Sequence, residues 1–86
     1  MEVIKLQLKD TVEMMNSKDF KERFKAEYCQ LLIRYDGLLS MLIDWENNML
    51  DFEPICSKET IENQVLFMQG YLDILSLRAK IEEIDL

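Results

Sequence analysis

Apolar residues recur in steps of three and four over most of this chain, along one seam in its first half and along two in its second. From Phe24 the seam runs Phe24, Tyr28, Leu31, Tyr35, Leu38, Leu42, Trp45 and Met49, with spacing 4, 3, 4, 3, 4, 3, 4. That is a heptad pattern sustained for nearly four repeats, and it predicts a long helix over residues 17–49 with one buried face. From Ile61 the pattern doubles. One stripe is Ile61, Val65, Met68, Leu72, Leu75 and Ala79; the other is Gln64, Phe67, Tyr71, Ile74, Arg78 and Ile81. Each keeps to its own face of a helix, predicted over residues 57–83. The first stripe can pack on the seam of the preceding helix, while the second has no third layer to meet. The pattern therefore predicts an all-α fold, a long antiparallel helical hairpin assembled into an oligomer.

Punctuation along the chain supports this division. Residues 1–16 read as an N-terminal arm: Val3, Ile4, Lys5, Leu6, Gln7 and Leu8 suggest a short strand or extended segment. Asp10 with Glu13 resembles a capping box for a short helix from Thr11 to about Asn16. Ser17 and Ser57 are the expected N-caps of the two long helices. Asn47, Asn48 and Pro54 break the pattern, leaving a connector at residues 50–56. Its Phe52 and Ile55 are expected to fold back over the hairpin end. Gly37 reads as a tolerated glycine or a close helix crossing.

With 86 residues the chain is one domain, near the size at which a single core is only marginally sufficient. Self-association is one usual remedy. Cys29 and Cys56 have no metal-ligand spacing and the chain has no histidine, so two reduced thiols and no metal or other cofactor are expected. No signal peptide or membrane-length apolar run is visible, which points to a cytoplasmic protein without a membrane partner. The net charge of −7 argues against polymeric nucleic acid, whose binding needs many basic phosphate contacts. A small phosphorylated ligand remains compatible, because local charge outweighs total charge over a screening length of roughly 8–10 Å.

Catalytic signatures are absent: there is no histidine, no glycine-rich phosphate loop and no nucleophile elbow. Enzymatic turnover is not expected. The informative polar groups are those that interrupt apolar faces. Arg23, Glu27, Gln30 and Arg34 form a polar ridge beside the seam. Arg23 can pair with Glu27, whereas Arg34 has no acidic residue three or four positions earlier and is freer to take a phosphate. Gln64, Tyr71 and Arg78 on the second apolar stripe are groups suited to hold a polar, flat, anionic ligand at a subunit junction, and the Arg78 guanidinium requires an anion there: a carboxylate from another subunit or a ligand phosphate. Phe20 can cover the hairpin end or stack on a base, and Tyr71 can bury its ring while offering its hydroxyl.

The pattern Asp19-Phe20-Lys21-Glu22-Arg23, then Glu27, Leu31, Arg34 and Leu38, and after the turn Gln64, Met68, Tyr71, Leu75 and Arg78, resembles the small phage helical-hairpin proteins. That family includes anti-CBASS cyclic-nucleotide sponges and the hairpin domain of Thoeris anti-defence sponges. The resemblance spans about residues 19–79. It implies a phage protein in the host cytoplasm that sequesters immune signalling nucleotides without turnover: a cyclic di- or trinucleotide, or a cyclic ADP-ribose type. It further implies interlocked hairpins, as dimers or hexamers, with pockets between protomers. Phe20 matches the base-stacking aromatic, where the family more often has tyrosine, and Arg34 and Arg78 match basic positions. Together with Arg23 and Tyr71 these form the expected ligand-binding set. The N-terminal arm and the longer turn around Pro54 depart from the shortest members. A competing reading is an acidic helical interaction protein that blocks a host defence protein directly, as anti-CRISPR proteins do, or a structural phage accessory protein.

Overall fold

The computed structural model describes residues 6–86, which form a helical hairpin with a short N-terminal helical segment. A 3₁₀ turn at Leu8–Thr11 runs into α1, Val12–Met15; the long helices are α2, Phe20–Glu46, and α3, Lys58–Ile81. No strand occurs among the described residues. Val3, Ile4 and Lys5 of the expected arm lie outside them. Leu8 and Lys9 are helical rather than extended because Asp10 acts as the N3 residue of the 3₁₀ turn, its carboxylate accepting from the Gln7 N–H at 2.9 Å. The capping pair is therefore Gln7 and Asp10, not Asp10 and Glu13.

The first long helix begins later than Ser17 predicts. Asp19 is the N-cap, its side chain accepting from the Lys21 N–H at 3.0 Å, while the Ser17 hydroxyl accepts from the Asp19 N–H. Both residues satisfy backbone donors, but Ser17 does so in the turn before the helix. At the other end Asn48 adopts φ 56°, and the Met49 N–H bonds the Asp44 carbonyl at 2.8 Å while the Asn48 N–H bonds that of Trp45. This is a Schellman closure with asparagine at the left-handed position. Met49, the last residue of the predicted seam, consequently lies beyond the helix and is exposed.

α3 starts where expected, with the Ser57 hydroxyl accepting from the Thr60 N–H. It ends in a second Schellman closure: Glu83 has φ 56° and the Ile84 N–H bonds the Ala79 carbonyl at 2.8 Å. That geometry also folds Ile84 onto Ala79, and both are buried.

The first α3 stripe faces α2. Leu72, Leu75 and Ala79 are buried and Ile61, Val65 and Met68 half-buried. The tightest packing joins Phe24, Leu75, Ala79 and Ile84, with Tyr28 and Leu31 against them, at the end where α2 begins and α3 finishes. Toward the connector the facing residues are only half-buried. Phe52 and Ile55 do not fold back over that end; both are exposed and rim an open concavity with Met41 and Ile61. The turn is instead held by an ion pair between Lys58 and Glu46, which pulls the Glu46 carboxyl below its usual range.

The N-terminal segment packs on α2 and not on α3. Thr11 is fully buried there; its hydroxyl donates to the Leu8 carbonyl at 2.7 Å and accepts from Gln30 Nε2 at 2.8 Å. Part of the polar ridge thus serves as a ledge for this segment.

Candidate ligand-binding face

The five residues singled out by the sequence fall into separate groups. At the end where α2 begins and α3 finishes, Phe20 meets Phe24 edge-on, with ring centroids 6.1 Å apart and planes at 64°. The Arg78 guanidinium lies over the Phe24 ring at 4.9 Å from its centroid. Its Nε donates to Glu82 Oε2 at 2.9 Å, one helical turn on. The anion that the apolar surroundings of Arg78 demand is therefore already supplied within α3, and the ring beneath adds a cation–π contact. Phe20 itself keeps an exposed face, available for stacking.

Arg23 turns toward the N-terminal segment, donating from Nη1 to the Ser17 carbonyl at 2.8 Å, rather than along the helix to Glu27. Glu27 is taken by Tyr71, whose hydroxyl donates to its carboxylate across the hairpin. The hydrogen bond that Tyr71 donates to the Glu27 carboxylate raises the Tyr71 pKa above the ordinary tyrosine value, desolvation and the Glu27 charge acting in the same direction. A parallel link runs from the Tyr35 hydroxyl to Gln69 Oε1 at 2.6 Å, and from Gln69 Nε2 to Asp73 at 2.9 Å. Arg34 stands apart: it is exposed and has no ion pair among the described residues.

The structure brings Gln64 and Tyr71, polar members of the second stripe, into one open groove with residues that the pattern does not single out, and leaves Arg78 outside it. Thr60, Asn63, Gln64, Phe67, Met68 and Tyr71 line an open groove of about 470 Å³ along α3. Phe67 and Tyr71 give it an aromatic side one turn apart, and its surface is almost wholly apolar although Asn63 and Gln64 are among the residues that border it. Phe67 was legible as part of the second stripe; nothing in the pattern alone marked it as more than apolar cover. Among the described residues no group of three acidic, histidine or cysteine side chains is placed to hold a metal ion. Cys29 and Cys56 are both free thiols, and partial burial raises the Cys29 pKa.

The described residues thus form a two-helix hairpin with an open, largely apolar groove along α3. The chain belongs to the Sequestin family, whose model matches residues 18–81. That span runs from just before α2 to the last residue of α3, so it covers both long helices and leaves the N-terminal segment outside. No curated protein and no solved structure matches the chain. No helix among the described residues is long and apolar enough to cross a membrane.

Proposed function

We propose that this protein is a phage anti-defence sponge that binds a host immune signalling nucleotide, a cyclic oligonucleotide or a cyclic ADP-ribose type, and holds it without turnover. Family membership carries the reading, since the family's name denotes sequestration. The chemistry of the α3 groove supports it. Phe67 and Tyr71 offer ring faces for a base, worth roughly 1–3 kcal/mol per stacked base, and Asn63 and Gln64 offer donors and acceptors for its edge. Arg34 supplies an uncommitted guanidinium for phosphate, whereas Arg23 and Arg78 reach a ligand only by sharing or exchanging their present acceptors.

Sequestration acts by mass action, so the complex must be tight: about nanomolar Kd, or roughly −12 kcal/mol. An open groove on one protomer does not enclose a ligand to that degree, which is why the reading includes a homo-oligomer, dimer or hexamer, with the ligand at a subunit junction. Native mass spectrometry of the full chain with cyclic di- and trinucleotides and cyclic ADP-ribose isomers tests it. Retention of unmodified ligand at fixed stoichiometry is the expected result. Absence of binding across the panel, or conversion of the ligand to a new mass, overturns it.

A further inference from the structure

On the side opposite its core, α3 carries an exposed stripe that takes Phe67, Ile74 and Ile81 from the second stripe. Asn63, Phe67, Gly70, Ile74, Leu77 and Ile81 follow one another at 4, 3, 4, 3, 4, and every one is exposed. This is the spacing of a helix-pairing seam. Phe67 and Ile81 retain 78% and 71% of their surface, Ile74 and Leu77 retain 56% and 55%, and the flanking Leu66 retains 70%. Scaled from the roughly 150–250 Å² of a large side chain, these five leave about 600 Å² of apolar area open on each chain. Two such faces brought together bury ~1,200 Å², where stable specific interfaces begin.

Gly70 stands in the middle of the stripe, and like Gly37 it is not required by packing within the hairpin. A Cβ built there meets nothing within 4 Å inside the chain, so the hairpin itself has no use for a glycine in this helix interior. A second helix crossing at that point does, because removing the Cβ lets two backbones approach closely.

Charge decides the direction of pairing. Residues 36–62 hold seven carboxylates against the single Lys58, a net of −6, while the remaining ten carboxylates meet nine basic residues, a net of −1. A parallel, in-register pair would stack two acidic connector ends and set Glu59 against Glu59. An antiparallel pair centred on Gly70 separates those ends and sets Glu59 of one copy opposite Lys80 of the other. It also faces Asn63 with Leu77.

We infer that α3 pairs with α3 of a second copy of this chain, antiparallel and crossing at Gly70. The inference rests on the self-association part of the proposed function and deepens it: Asn63 and Phe67 belong both to this seam and to the groove, which puts the groove at the subunit junction, and the test needs no nucleotide. Its test is sedimentation equilibrium of the full chain together with a cross-link. The native chain sediments at twice its monomer mass, and Leu77→Glu returns it to monomer mass with unchanged helical circular dichroism. In a Cys29→Ala, Cys56→Ala background, chains carrying Asn63→Cys and chains carrying Leu77→Cys form a disulfide with each other when mixed and oxidised, and little with themselves. A monomeric native chain overturns the inference. So does an oligomer indifferent to Leu77→Glu, or self-linking of each single-cysteine chain without linkage in the mixture. In those last two cases self-association stands and only this interface falls, while the nucleotide reading is decided separately by mass spectrometry.

Discussion

Two residues hold states that their neighbours impose, and both can be read directly. Tyr71 keeps its proton because its hydroxyl donates a hydrogen bond to the Glu27 carboxylate. A raised tyrosine pKa means this bond contributes to stability below the ordinary tyrosine range, near pH 10, and is lost as pH rises through the raised value. Ultraviolet titration of phenolate is therefore expected to show one tyrosine ionising late, and Glu27→Gln is expected to bring that ionisation to lower pH. An unchanged titration in that variant would remove the pairing from solution. Glu83 is held at φ 56°, a conformation that costs a residue with a Cβ on the order of 1 kcal/mol. Glu83→Gly is expected to stabilise the fold by about 0.5–1 kcal/mol in urea denaturation. Its backbone carbonyl, which accepts from Lys21 Nζ at 3.2 Å, is retained. Asn48→Gly should gain less, since asparagine tolerates the left-handed region better. Equal gains at both positions would argue that the strain at Glu83 is not the cause.

Between elements, the contacts are concentrated at one end of the hairpin. Leu75 is almost fully enclosed among Phe24, Ala79 and Ile84, so Leu75→Ala is expected to cost about 2–5 kcal/mol. The same truncation at Leu42, half-buried near the connector, should cost clearly less; a similar loss at the two sites would contradict the uneven core. The sequence made the two long helices legible because a step of 3.5 residues repeats many times in each, and every wrong register exposes a whole face. Their ends were harder. Ser17 and Asp19 are both good caps, and only the backbone path decides that Asp19 takes the role. The docking of Thr11 against Gln30 was not legible at all, because it joins residues 19 positions apart through one hydrogen bond that leaves no period in the sequence. For the candidate groove, the pattern placed Gln64, Phe67 and Tyr71 together on one face of α3, where the structure has them lining one concavity. It could not show that Arg78 spends its charge on Glu82, since a one-turn pair is only one of several partners open to a guanidinium on a helix.

Across the whole molecule, charge and packing are both polarised along a long axis of 43 Å, and that polarity separates the two functional readings. The connector end combines nearly all the net negative charge with exposed Ile43, Met49, Phe52 and Ile55. A basic protein surface would be steered to that end, whereas an anionic ligand in the α3 groove, whose connector-side edge is Thr60, meets its repulsion. Arg34 lies 12 residues before Glu46 on α2, about 18 Å along the helix axis at the α-helical rise. That is roughly two screening lengths at physiological salt. Asp36, the nearest carboxylate in sequence to Arg34, lies two positions on, and residues so spaced do not face each other. Nucleotide binding is therefore expected to be retained or tightened by the triple change Glu46→Gln, Asp51→Asn, Glu53→Gln at physiological salt, since only repulsion is removed. Arg34→Ala is expected to weaken it at least tenfold, because a charge-assisted phosphate contact contributes about 1.5–3 kcal/mol. Isothermal titration of the two variants against the same nucleotide measures both. The reverse pattern, loss with the connector variant and indifference to Arg34, would place the functional contact at the acidic end and favour a protein partner over a nucleotide.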